Sequence, residues 1–359
     1  MPTTDLATDL HKQAEAATHG YATKSWLSRV VGDDGERFCH PALPLSAGGH
    51  GCADATPTPN ASGAADKHCG LAPLDEYNAA LLDAVHPVDW KDPTPEPGFV
   101  YDLVALGAGA GGLVSAKQSA RRGAQSALIS AHLAGGDCLN VGCVPSKALI
   151  RCARAARDRA NNEFGITGKS TIDFAEVMKR VRRLRARIAP ADAHTATTQA
   201  GADVYQGFGK FTGPNTIEVN GQTLHFKKAV IATGGQAALP PIPGLKEAPY
   251  HTNNNIFNLT KRPSKMCVIG GGPIGLELAQ AFACLGTKVT VLLRDENAEK
   301  GVLPKEDPDA ATAIYNSLKK DGVEFAFGLK FEKVEEDRTV HCTRPRGNRN
   351  FTACSLVTV

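Results

Sequence analysis

Tyr101-Asp-Leu-Val-Ala-Leu-Gly107-Ala-Gly109-Ala-Gly-Gly112-Leu-Val-Ser-Ala116 decides the fold. An apolar run of strand length enters Gly107-x-Gly109-x-x-Gly112, and small and apolar side chains then continue at helical spacing, so a helix is expected from about Gly112 to Arg122. A second strand is expected over Ser126 to Ser130. In a strand, glycine turn, helix and strand of this kind, backbone N–H groups at the helix start approach a pyrophosphate with no Cβ in the way. Gly107, Gly109 and Gly112 are therefore candidate phosphate-binding positions, and Ala116 allows close helix packing. The second strand of such a unit usually ends in an acid that holds a ribose. Here it ends in Ser130, which can hydrogen-bond a hydroxyl but lacks the charge-assisted strength of a carboxylate, so weaker dinucleotide binding is expected.

The same unit returns between Lys265 and Leu293. Met266-Cys-Val-Ile leads into Gly270-x-Gly272-x-x-Gly275, which opens a helix reaching Leu285. Two such halves in one chain predict a three-layer α/β protein with two Rossmann-like dinucleotide-binding domains.

Between the halves stands Gly135-Gly136-Asp137-Cys138-Leu-Asn-Val-Gly-Cys143-Val-Pro-Ser-Lys147. A regular helix rises roughly 7.5 Å over five residues, more than the roughly 6.8 Å upper Cα separation for a disulfide. A bridge between Cys138 and Cys143 thus requires a distorted turn, for which Gly142 and Pro145 are suitable neighbours, with regular helix through Arg154. A cysteine near a helix start gains from the positive end of the dipole, which favours thiolate. Two inert thiols and a zinc half-site are the competing readings.

The stretch from Tyr101 to Ile150 resembles the FAD domain of class I pyridine nucleotide-disulfide oxidoreductases, the family of dihydrolipoamide dehydrogenase, glutathione reductase and mercuric reductase. The resemblance implies that Cys138 meets the substrate, that Cys143 contacts the flavin of FAD, and that Lys147 lies near the flavin ring. Gly136 and Asp137 fall against the cofactor phosphates, and Asp137 stands where the family commonly has Thr, which places an anion there. Tyr205-Gln-Gly-Phe-Gly209 resembles the segment laid against the FAD adenine, and Val230-Ile-Ala-Thr233-Gly234 resembles the family's turn between the flavin and nicotinamide domains. By the same resemblance Glu277 sits beside the nicotinamide and near Lys147. Arg294, after Leu293, can pair with a 2′-phosphate that an acid would repel, with Lys300 or Lys305 as a second charge, so NADPH is preferred over NADH; a solvated loop cation is the alternative. The implied activity is a flavoprotein oxidoreductase passing electrons from NAD(P)H through FAD to a Cys138–Cys143 disulfide and on to a small-molecule disulfide, a dithiol or a mercuric ion. The full-length form is expected to be a homodimer.

The remaining sequence sets boundaries. Residues 1–98 read as a mostly disordered leader rich in Ala, Gly and Pro, interrupted by one short helix whose stripe of Leu74, Tyr77, Leu81, Leu82 and Val85 is a docking face. An FAD-binding domain is expected over 99–260, an incomplete NAD(P)-binding domain over 261–335, and a divergent tail over 336–359. The arginine-rich stretch from Phe174 to Ile188 predicts a helix with a solvated basic face. Cys39-His40, His50-x-Cys52 and His68-Cys69 lack zinc spacing, so no metal site is expected. A net charge of +3 over 359 residues argues against a nucleic-acid partner, and no apolar run is long enough to span a bilayer. Ten scattered cysteines fit a soluble protein of a reducing compartment, the cytoplasm first, with organelle targeting left open. The family's second FAD motif with Gly-Asp and its His-Glu base pair have no counterpart, and His132 and His251 match neither. The expectation is a C-terminally truncated product, with a catalytically incomplete nucleotide-binding fragment acting by association as the alternative.

Overall fold

A computed structural model of the chain describes residues 69–161, 171–344 and 347–358. At its centre β1 (Val100–Leu106) runs parallel to β2 (Ser126–Ser130) and β6 (Gln222–Ile231), with Val104 in register with Ala127 on one side and Ala229 on the other. β3 (Ala202–Gln206) extends the sheet in parallel, while β5 (Thr216–Val219) and β4 (Lys210–Gly213) continue it antiparallel, in the order β3-β2-β1-β6-β5-β4. β2 is buried at every position, as a strand covered on both faces must be. Helix α2 (Ala110–Ala120) lays Leu113 and Ala116 on one face. Ile217 and Val219 of β5 and Leu224 and Phe226 of β6 join Val104, Ala127 and Ile129 in a second apolar cluster.

The second sheet repeats the plan. β7 (Lys265–Ile269), β8 (Lys288–Leu292) and β9 (Glu324–Ala326) are parallel, and α8 (Pro273–Cys284) buries Leu276, Leu278, Ala279 and Phe282. The segment expected as a divergent tail belongs to this domain. β10 (Lys330–Val334), β11 (Thr339–Arg344) and β12 (Gly347–Thr352) form an antiparallel meander, and β13 (Ser355–Thr358) then enters beside β7 in parallel, giving the order β13-β7-β8-β9. Burial of all of β13, with Leu356 and Val357 at 0% exposure, explains its placement: its apolar side chains fill the core beside β7.

Within the segment expected as a leader, residues 76–92 pack on the domain of the first sheet. α1 (Glu76–Val85) is capped by Asp75 and buries Leu81 and Val85 against Leu113, Leu128 and Leu139. Beyond it Trp90 Nε1 donates to Val204 O at 3.0 Å and Asp92 accepts from the Gln206 N–H at 2.8 Å, so the segment is strapped along β3. Residues 1–68, with Cys39, His40, His50, Cys52 and His68, lie outside the described residues. Among the described residues no group of His, Cys, Asp and Glu could hold a metal, and no helix is long and apolar enough to cross a membrane.

The basic helix, α5 (Phe174–Ile188), departs from its expected solvated face. Arg182 and Arg185 are 6% and 1% exposed, because each has an acceptor waiting in the core: Arg182 Nε donates to Asp75 Oδ2 at 2.6 Å, and Arg185 Nη2 to Asn78 Oδ1 at 2.9 Å. The reading of a solvated face holds for the exposed Arg183 and Arg187 and fails for Arg182 and Arg185, whose acceptors lie far upstream in sequence.

Candidate active site

The first glycine turn is held by backbone approaches that a side chain would block. Gly107 has φ +106°, and a Cβ there would lie 2.2 Å from Ala232 O, so the ends of β1 and β6 meet just before Thr233 and Gly234. A Cβ on Gly112 would lie 1.7 Å from Gly107 O, and one on Gly136 2.6 Å from Gly109 Cα. Three segments, 107–112, 135–136 and 232–234, thus converge at the C-terminal edge of the sheet. Gly209 packs on the same edge, its Cβ position 2.6 Å from Leu106 Cδ1.

The second turn is built alike. Gly270 repeats the φ of +106°, Gly272 takes the N-cap position of α8, and Gly275 is buried within it. Arg294 is exposed just beyond the buried Leu293, Lys305 is exposed, and the Lys300 side chain lies outside the described residues.

Capping tests whether these turns fit dinucleotide phosphates. Asp75, Asp173 and Asp307 each accept a backbone N–H at the start of α1, α5 and α10 (Pro308–Lys320). The helices that follow the fingerprints start at Gly109 and Gly272 with no side-chain cap, and a Cβ on Gly272 would meet nothing within 4 Å. N–H donors at the positive helix end, open space and no competing oxygen fit a phosphate.

Ser130 departs from its expected role. It is fully buried and its hydroxyl donates to His132 O at 2.8 Å, which closes the turn after β2 and takes the hydroxyl away from any ribose. Asp137 is exposed in the first turn of α3 (Gly136–Asn140).

The two cysteines straddle a helix break. Cys138 lies in α3, Val141 leaves helical geometry with φ −139°, and Cys143 opens α4 (Cys143–Asn161). Gly142 permits the break, since a Cβ there would lie 2.7 Å from Asp137 O. Both thiols are free and exposed. The neighbouring Cys143 thiol first, then burial and the charge of Asp192, hold the Cys138 thiol above its ordinary pKa. The expected lowering by the helix dipole therefore does not hold for Cys138 in this dithiol state: the neighbouring thiol outweighs the end of so short a helix.

One turn along α4 from Cys143, the Lys147 ammonium meets the Glu277 carboxylate on α8. Packing of α4 on α8, through Leu149, Ala153, Leu278 and Ala281, brings the two fingerprint domains together at this pair. The histidines are elsewhere. His132 is exposed with its ring edge-on to Phe208, and His251 is buried beside Asn255, its pKa pushed down to about 4 by burial. Sequence reading missed Asn140, whose Nδ2 donates to the carbonyls of Ala134 at 3.0 Å and Gly136 at 2.9 Å, and Arg185, whose Nη1 donates to Asn140 O at 2.7 Å. Only an amide inside an otherwise small and apolar motif hinted at the first, and nothing local at the second.

Comparison with known proteins agrees with this geometry. The family described as pyridine nucleotide-disulphide oxidoreductase matches residues 101–359, beyond the expected limit of the resemblance near 335. Mercuric reductase of Bacillus cereus is 36% identical over 244 residues, 67% of this chain and 38% of that enzyme. Dihydrolipoyl dehydrogenase of Acholeplasma laidlawii is 33% identical over 249 residues, 67% of this chain and 72% of the relative. The HOCl-induced flavoprotein disulfide reductase RclA of Escherichia coli superposes with a TM-score of 0.61 at 28% identity, over 72% of this chain and 55% of that one. The chain thus spans 38% of the Bacillus enzyme and about half of the Escherichia one. With both glycine fingerprints, the cysteine pair between them and a family match over most of its length, the chain belongs to the class I pyridine nucleotide-disulphide oxidoreductases, a family dependent on FAD and a pyridine nucleotide.

Proposed function

We propose that this chain carries the electron-transfer core of a flavin-dependent disulfide reductase, taking electrons from NADPH in preference to NADH and delivering them through Cys138 and Cys143 to a disulfide, dithiol or mercuric-ion acceptor. The observation that carries the reading is the meeting of Lys147 with Glu277, because it sets the second fingerprint domain one helical turn from Cys143. FAD, when bound, supplies the two-electron relay between nicotinamide and dithiol.

The chain's own residues do the rest. Gly107, Gly109, Gly112 and Gly136 shape the turn and helix start that would hold the FAD phosphates, and Gly270, Gly272 and Gly275 do so for the nicotinamide dinucleotide, with Arg294 on its 2′-phosphate. Thr233, Gly234 and Gly209 border the flavin side of the same edge. Cys138, as thiolate, attacks one sulfur of an external disulfide and releases the first thiol. Cys143 then attacks the Cys138 sulfur, the Cys138–Cys143 bond forms, and the second thiol leaves. Two protons and two electrons pass from the cysteine pair to the acceptor. The expected full-length form is a homodimer.

The test is anaerobic. The chain purified with added FAD is expected to be yellow, to lose its flavin absorbance on addition of NADPH, and to expose Cys138 and Cys143 to alkylation only after reduction. Failure to retain flavin under any condition overturns the reading for this chain. A second reading, a nucleotide-binding module without turnover, draws on the occupied hydroxyl of Ser130; it predicts flavin retention with no NADPH-driven reduction.

A further inference from the structure

We propose that residues 71–85 form a brace that sets the geometry of the Cys138–Cys143 pair, with Arg185 as the positioning residue through which it acts. The proposal rests on reading that pair as the redox couple. The brace lies outside the residues matched by the family, which begin at 101.

α1 grips the redox segment at both ends. The Ala134 N–H donates to Val85 O at 3.0 Å, just before the Gly135-Gly136 turn. At the other end the Arg185 guanidinium bridges brace and segment, donating through Nη2 to Asn78 Oδ1 at 2.9 Å and through Nη1 to Asn140 O at 2.7 Å. Asn78 is held ready for this role, because its Nδ2 donates to Pro73 O at 2.8 Å and so turns its oxygen toward the arginine. Asp75 fixes the neighbouring Arg182 and supplies the compensating charge. Asn140 completes the frame by tying its own end of α3 back to the carbonyls of Ala134 and Gly136. Cys138 sits inside this frame and Cys143 follows its exit.

Packing alone does not call for such an arrangement. Arg185 is 1% exposed, and burying a guanidinium carries a desolvation cost that an apolar residue of similar volume avoids. What arginine adds is direction: a planar fork that holds two acceptors at a fixed separation. One acceptor is the brace and the other is the last carbonyl before the helix break between the cysteines. Holding that carbonyl fixes where the helix breaks between the two thiols, and a break is what a bridge across five residues requires, since neither regular helix nor a loose loop presents the sulfurs to each other.

The test equilibrates the folded full chain against mixtures of reduced and oxidised glutathione. As the Cys138–Cys143 bond forms, the pair gives up two protons and two electrons and glutathione disulfide accepts both. The bridged fraction is read by alkylation and mass analysis of the peptide that contains both residues. Asn78→Ala and Arg185→Met are expected to lower the equilibrium constant for bridge formation about tenfold, a shift of about 30 mV, with Arg185→Lys recovering part of it. Trp90→Phe, which removes a strap hydrogen bond to β3 and leaves every hydrogen bond of the frame in place, is expected to leave the constant unchanged. If Arg185→Met does not fold, Asn78→Ala decides. A wild-type constant in Asn78→Ala overturns the proposal, as does an equal shift in Trp90→Phe, which would reduce the effect to general loosening. Absence of the bridge in the wild-type chain under every mixture instead overturns the redox reading of the pair, so the two failures are told apart.

Discussion

The Lys147 ammonium meets the Glu277 carboxylate across 130 positions of sequence, joining the helix that starts at Cys143 to the helix that follows the second glycine turn. The two side chains are 62% and 37% exposed, and exposed pairs contribute about 1 kcal/mol or less. Glu277→Gln is therefore expected to move the melting temperature by no more than about 3 °C, while slowing NADPH-driven reduction roughly tenfold or more through lost positioning. Calorimetry and anaerobic stopped-flow absorbance measure the two; a wild-type reduction rate removes Glu277 from the site.

Two glycines separate folding from binding. A Cβ on Gly112 collides with the Gly107 carbonyl, so Gly112→Ala is expected to cost roughly 2–4 kcal/mol of stability and flavin retention with it. A Cβ on Gly272 meets no protein atom, so Gly272→Ala is expected to fold as wild type and to weaken NADPH binding about tenfold by standing where the phosphate comes close. Urea melts and a nucleotide titration check both, and unchanged affinity in Gly272→Ala contradicts the open cradle.

Buried histidines set the acid limb of stability. His194 and His251 both have their pKa pushed down to about 4, in each case first by burial, from an ordinary value of 6.5. Between pH 6.5 and 4 the unfolded chain therefore binds protons that the fold excludes. Stability is full above 6.5 and falls as the pH drops toward 4, by up to about 3 kcal/mol for each histidine. Among the described residues neither ring nitrogen of His194 has a hydrogen-bond partner, and its ring meets Trp90 edge-on at 5.0 Å. His194→Phe keeps that ring contact and is expected to flatten the decline seen in urea melts over this range; an unaltered slope refutes the assignment.

Arg294 stands exposed past β8, and the proposed preference for NADPH rests on it. Arg294→Ala is expected to raise KM for NADPH about tenfold and to leave KM for NADH nearly unchanged. Steady-state kinetics with both nucleotides decide, and equal effects on the two reduce Arg294 to a loop cation.

Legibility in the sequence followed the range of the contacts. Gly107 to Gly112 and Gly270 to Gly275 announce themselves because a tight turn and a helix start are written in consecutive residues. The break between Cys138 and Cys143 follows from spacing alone. Arg182 and Arg185 were misread because their acceptors, Asp75 and Asn78, lie 107 residues upstream, off the apolar stripe by which that short helix is read. β13 was misread for a related reason: four residues carry no period, and only the apolar gap beside β7 assigns them. Ser130 shows the reverse case, a residue placed correctly at a strand end whose hydroxyl the following turn takes up.

The brace also has a direction in time. Asp75 and Asn78 precede Arg182 and Arg185 by 107 residues each, and a ribosome adding about 5–20 residues per second needs roughly 5–20 s to cover that distance. Helix α1 is thus laid down early and locked late. Both thiols leave the ribosome before the arginine that sets them does, so a nascent chain meets its surroundings with Cys138 and Cys143 unframed. For this protein the redox state of its surroundings acts during synthesis, before there is a fold for it to serve.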